Sequence, residues 1–242
     1  DEASLKRGRP LLLGARTPGT LQTCLVLGLD VETWIKEGLL DRLSIGGGYM
    51  PMTNPAEELV SLGHSHGVPV YPCINCGAPV QGTDLELRGA ASNIFWAGAD
   101  GIYLWNYQYR DVQMLGYGRP TDDAYSLLDQ IGSEHALKYT NKSFCLEQRV
   151  GVASYARACH AAQIPIVISK NSIGKVLTIR IGDDVREADR VGKLGSATLK
   201  LGFESIEDEA NVTAVLNGEV VGQAKADNDS VLIPTRASLV QQ

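Results

Sequence analysis

Long apolar runs are missing from this 242-residue chain. Stretches such as Leu11-Leu12-Leu13 fall far short of the roughly 20 residues that a membrane-spanning helix needs, so no membrane partner is expected. An excess of positive charge is missing as well. Lys and Arg number 22 against 28 Asp and Glu, for a net charge of −6. That balance would not neutralise a phosphate backbone, which argues against nucleic acid as the main partner. Cysteine is sparse and unpaired in pattern: Cys24, Cys73, Cys76, Cys145 and Cys159 form no disulfide framework. Only Cys73 and Cys76 share a redox- or zinc-like spacing. A structural zinc would need a second pair of ligands, and none exists, so neither metal nor cofactor is expected. No signal-peptide pattern opens the chain, but it starts with Asp rather than Met, so that absence excludes little.

What is present is a rhythm. Leu11 to Ala15 is an uninterrupted apolar stretch, the pattern of a strand buried on both faces. Leu43-Ser44-Ile45, Val68 to Ile74 and Ile102-Tyr103-Leu104 are the next three strands. Helices are predicted between them. Asp30 caps one over Val31 to Glu37, and Gly38 stops it. Asn54-Pro55 with Glu57 has the form of a capping box for another, with its stop at Gly67. Asp84 opens a third, and Thr121 caps a fourth that ends at Ile131. Strands recur about every 25–35 residues, the spacing of successive βα units in a parallel sheet. The four segments share no repeated side-chain pattern, which excludes a solenoid.

Beyond about residue 147 the pattern changes. Pro165 to Ile168, Val176 to Ile181, Ala197 to Leu201 and Val212 to Leu216 are strand-like, and several alternate apolar with polar residues. Asn217-Gly218 is a strong hairpin signal before Glu219 to Val221. The expectation is a β-sandwich over 148–242, with Ala237 to Gln242 leading into a missing last strand.

Candidate chemistry gathers where parallel strands end, because ligand sites lie at that rim. Trp105 follows the fourth strand as a stacking platform for a sugar ring, with Asn106 and Tyr107 beside it. Asn75 ends the third strand as a hydrogen-bonding group, and Arg16 ends the first as a fixed fork for a carboxylate or substrate oxygen. Cys73 and Cys76 are assigned to packing or pocket lining. Gly46-Gly47-Gly48 could approach a phosphate, yet it lacks a following Lys-Ser or Lys-Thr, so a close backbone approach explains it more simply. His64 and His66 sit at a helix end without an obvious catalytic partner. None of the four strands ends in Asp or Glu, whereas sugar hydrolysis commonly needs two flanking carboxylates.

Three segments carry a resemblance: Arg16 to Thr20, Gly28 to Leu39, and Gly98 to Asn106. They resemble the second half of a bacterial barrel family, the family-ten-like glycosyl hydrolases, over roughly residues 5–145. The resemblance implies an α/β fold: the C-terminal half of a (β/α)8 (TIM) barrel, the last four βα units, over 1–147, followed by the β-rich domain. It implies a glycoside hydrolase acting on a poly- or oligosaccharide. The family's acidic strand would lie before Asp1, so the chain alone is expected to be inactive and truncated at both ends. Arg16, Asn75, Trp105, Asn106 and Tyr107 would then hold the carbohydrate. Two alternatives remain: a non-catalytic carbohydrate-binding protein on the same scaffold, and a phosphate-binding barrel enzyme. Four parallel strands leave two open edges, which either further strands or a second copy in a homo-oligomer would cover.

Overall fold

The computed structural model describes residues 2–46, 55–76, 83–107, 125–146, 163–169, 174–203, 206, 211–225 and 230–240. Gly47, Gly48, Asn54, Thr121 and Cys159, the segment 77–79 and the loop at 108–120 lie outside them. The chain divides into two compact units, Asp1–Gly182 and Asp183–Gln242.

The first unit runs α1 (Glu2–Arg7), β1 (Gly14–Thr17), α2 (Leu21–Val26), α3 (Val31–Lys36), β2 (Arg42–Ile45), α4 (Glu57–Ser65) and β3 (Val70–Asn75), then α5 (Asp84–Trp96), β4 (Tyr103–Trp105), α6 (Ser126–Ile131) and α7 (Glu134–Leu137). The strands form one parallel sheet in the order β1-β2-β3-β4, without reversal. Local chemistry sets the helix limits. Asp30 accepts from the Thr33 N–H at the start of α3, and Gly38 leaves its end with φ of 67°. α5 opens at Asp84 as expected, and Thr83 caps it in a reciprocal box with Glu86. A cap of this kind contributes on the order of 1 kcal/mol. At α4 the N-cap is Ala56, without a side-chain bond, so that helix starts later than the Asn54-Pro55 signal predicts.

The strand expected over Leu11 to Ala15 begins only at Gly14. Leu12 and Leu13 are 70% and 59% exposed. Their stretch leads into the sheet instead of lying within it: the Leu13 backbone pairs with Asp41, ahead of the β2 register. An apolar run therefore marked the approach to a strand and not the strand itself.

Side-chain alternation gives the sheet two unlike faces. Ala15, Leu43, Ile45, Val70, Ile74 and Leu104 lie on one face, within the apolar cluster formed with Val31, Ile35, Leu59, Leu87, Ala91 and Ile94 of the helices. The register places Arg16, Ser44, Tyr71, Cys73, Asn75, Tyr103 and Trp105 on the other. That second face is polar and aromatic.

Residues 174–182 have no regular secondary structure, so the strand expected over Val176 to Ile181 is absent; Ile166 to Ile168 are likewise non-strand. Side-chain bonds hold the segment instead. The Gly182 N–H donates to Asn93 Oδ1 at 2.7 Å, Ser92 Oγ donates to the Gly182 carbonyl, and Arg180 pairs with Glu57. These bonds to α4 and α5 carry the first unit to Gly182, past the expected boundary near 147.

The second unit contains α8 (Val185–Arg190), β5 (Ala197–Gly202), β6 (Asn211–Leu216), β7 (Glu219–Lys225) and β8 (Ser230–Thr235). β5 pairs with β8 and β6 with β7, both antiparallel. Asn217 and Gly218 both have positive φ, 50° and 91°, as a tight hairpin requires. Leu199, Leu201, Val212, Ala214, Val231 and Ile233 share one small apolar cluster. Ala237–Leu239, expected to lead into a strand, is a 3-10 turn, and Arg186 donates to the Val240 carbonyl beyond it. The protein is thus mixed α/β, with a four-stranded parallel sheet and two small antiparallel ladders.

Candidate functional site

The polar face is richest near the rim where all four parallel strands end. Arg16 rises from β1 and Trp105 from β4, at opposite edges of the sheet. Neighbouring strands are about 4.8 Å apart, so the two backbones would stand about 14 Å apart across a flat sheet. The side chains close that span over β2 and β3. The Arg16 guanidinium carbon lies 3.8 Å from the centre of the Trp105 ring. Such a cation–π contact contributes about 0.5–2 kcal/mol, depending on how dry it is. More usefully, it holds a planar, charged donor beside an aromatic ring. One face of the indole is thereby occupied. A sugar stacking on Trp105 must use the face away from Arg16.

Tyr103 joins the cluster, its ring 6.3 Å from that of Trp105 and tilted by 44°. Asn75 stands opposite Trp105 in the parallel register, and the Cys76 N–H extends that ladder to the Trp105 carbonyl at 2.8 Å. Asn75 is only 2% exposed and already engaged within the chain, which suits it to supporting its neighbours on this face.

The cysteines part company. Cys73 lies on the polar face, whereas Cys76 packs into the helix-side apolar cluster. Both are buried free thiols. Burial, with the neighbouring Cys76, pushes the Cys73 thiol up to about 12, while Arg16 and the Trp105 backbone pull the other way. Cys73 is therefore a neutral thiol at physiological pH, not a nucleophile. Its place between Arg16 and Trp105 lines the site.

The remaining two predicted site residues have structural contacts of their own. Asn106 has φ of 57°, the left-handed turn that follows β4. Asn is among the few non-glycine residues that adopt it readily, so the backbone accounts for its identity. Tyr107 packs against the apolar core, with its ring 6.2 Å from Tyr125. Arg16, Trp105 and Asn75 come together at the rim; Asn106 and Tyr107 anchor the strand that delivers Trp105.

Sequence reasoning passed over Tyr103, Tyr71, Ser44 and Arg42 as residues of this face. The signal was present as a period of two: Tyr71, Cys73 and Asn75 alternate with apolar neighbours, as do Tyr103 and Trp105. Arg42 lies on the same face two residues nearer the N-terminal rim; a Cβ built on Gly14, its register partner, would meet Arg42 Nε at 2.7 Å.

His64 and Asp100 form the other polar pair, at 2.9 Å, but at the opposite rim. Asp100 also accepts the Val70 N–H at 2.7 Å, where β3 begins. Burial works to raise the Asp100 carboxyl, yet the Val70 N–H and His64 outweigh it and hold the group below its ordinary value. The pair ties α4 to the sheet. Among the described residues, no group of three or more His, Cys, Asp or Glu could hold a metal ion, and no helix is long and apolar enough to cross a membrane.

No family model and no curated protein matches the chain.

Proposed function

We propose that this chain supplies the substrate-holding half of a (β/α)8-barrel glycoside hydrolase, followed by a β-rich domain. The single observation that carries the reading is the two-faced sheet. One face is apolar and packed by the intervening helices; the other presents Arg16, Trp105, Tyr103 and Asn75 near the C-terminal rim. Polar and aromatic side chains at the C-terminal ends of parallel strands suit the mouth of a barrel, where ligands bind. Strand order supports the same architecture. An open doubly wound sheet reverses its order and carries helices on both faces. Here the order never reverses.

Aromatic rings beside planar donors suit a sugar, whose apolar ring face stacks while its hydroxyls take hydrogen bonds. The four strands end at Thr17, Ile45, Asn75 and Trp105. None is an acid or base for glycosidic cleavage, so the two carboxylates belong to strands that complete the barrel. The same observation favours, as a second reading, a non-catalytic carbohydrate-binding protein.

Two measurements on the chain test the first reading. Calorimetric titration with oligosaccharides is expected to show binding that Trp105→Ala weakens at least tenfold. Incubation with chromogenic glycosides is expected to release no product. Turnover by the chain alone would refute this division of labour, and failure to bind any saccharide would remove the carbohydrate reading.

A further inference from the structure

We infer that the saccharide held at this site is acidic, carrying a carboxylate of the uronate type. The inference rests on the carbohydrate reading above and narrows it. Two guanidinium groups, Arg16 and Arg42, rise from the same face of the sheet. The strand residues of that face include no Asp or Glu. Among the described residues, neither arginine forms an ion pair with a carboxylate, whereas Arg180 and Arg190 both do.

The surroundings set the kind of anion. The Arg16 guanidinium carbon lies 3.8 Å from the centre of the Trp105 ring, so a charged, planar donor group stands beside the aromatic face. A planar carboxylate accepts two parallel N–H bonds from such a group, which a neutral hydroxyl cannot match. Ser44, the register partner of Arg16, adds a hydroxyl on the same face, and Tyr103 adds a second ring. Recognition would combine ring stacking with a charged fork.

Bulk charge does not supply this preference. The chain carries a net charge of −6, so a polyanion is repelled at long range. Any selectivity for acidic sugar must therefore come from the arginines of this face, Arg16 at the rim and Arg42 two residues below it.

The test is titration of the whole chain with galacturonate oligomers and with neutral galactose oligomers of the same length, at two salt concentrations. The expected result is at least tenfold tighter binding of the acidic series, weakening as salt rises. Arg16→Gln is expected to remove most of that preference, read as the ratio of acidic to neutral affinity within the same variant. Arg16→Lys, which keeps the charge but not the fork, is expected to retain part of it, and near-UV circular dichroism confirms folding of each variant. Equal binding of the two series would overturn the acidic assignment while leaving the carbohydrate reading intact. A preference that survives in both Arg16→Gln and Arg42→Gln would also overturn it. Absence of binding to either series would remove both readings. Sulfated oligomers binding as well as the galacturonates would overturn the carboxylate assignment.

Discussion

Asn106 separates two roles that one residue type can fill. Its amide could meet a ligand, but its φ of 57° already gives a reason for Asn after β4. Gly adopts that backbone freely, whereas a β-branched side chain is strained there by about 1–2 kcal/mol. Asn106→Gly is therefore expected to leave the urea midpoint within a few tenths of a molar, and Asn106→Val to lower it clearly. Saccharide titration of the stable Gly variant then reads the amide alone. Unchanged affinity is the expected result, because the left-handed turn explains the residue fully. A tenfold loss in the Gly variant would return Asn106 to the ligand-binding set. Trp105 is the contrasting case. Its place at the end of β4 was legible from the sequence, yet the partner that covers one side of its ring, Arg16, was not. The two lie 89 positions apart in sequence, and only the sheet register brings them together.

At the scale of elements, strands and helix caps were legible where local chemistry decides them. Asp30, Gly38 and Asn217-Gly218 do in the structure what their side chains and backbone preferences predict. Misreadings fall where tertiary partners decide. Leu11 to Leu13 has strand composition but sits ahead of the sheet, and Val176 to Ile181 has strand alternation but is held by Asn93 and Glu57 in place of a neighbouring strand. The junction of α4 with β3 shows how one such partner works. Asp100 reaches from the turn before β4 to the first N–H of β3 and to His64 of α4. Its carboxyl is held below the ordinary value near 3.8, so its stabilising effect is fully present above that value. That effect fades as pH falls through the lower value of the folded state. Asp100→Asn is expected to cost about 1 kcal/mol at pH 7, discounted for its partial exposure, and to flatten the fall in stability below pH 4. Urea unfolding at pH 7 and pH 3 checks both parts. A variant whose loss of stability is the same at the two pH values would show that the charge of Asp100 contributes nothing.

At the scale of the molecule, the parallel sheet sets the unsolved demand. Among the described residues β1 and β4 each pair on one side only, leaving two edges with unpaired backbone groups. Open parallel edges invite further pairing. Beside β1, Leu12 and Leu13 are 70% and 59% exposed, a costly arrangement for adjacent large apolar side chains in water. In a longer polypeptide, further strands would cover this edge. For the present chain in isolation, a second copy is the available cover, and we expect it to self-associate. Light scattering should give a mass above the 26.0 kDa of one chain, falling on dilution. The paired substitution Leu12→Lys, Leu13→Lys places two charges beside the β1 edge and should shift the population toward monomer without lowering the unfolding midpoint of the dilute protein. A sharp monomer at high concentration in the unsubstituted chain would sink the pairing, and the closed edge would then have to come from strands of the same polypeptide.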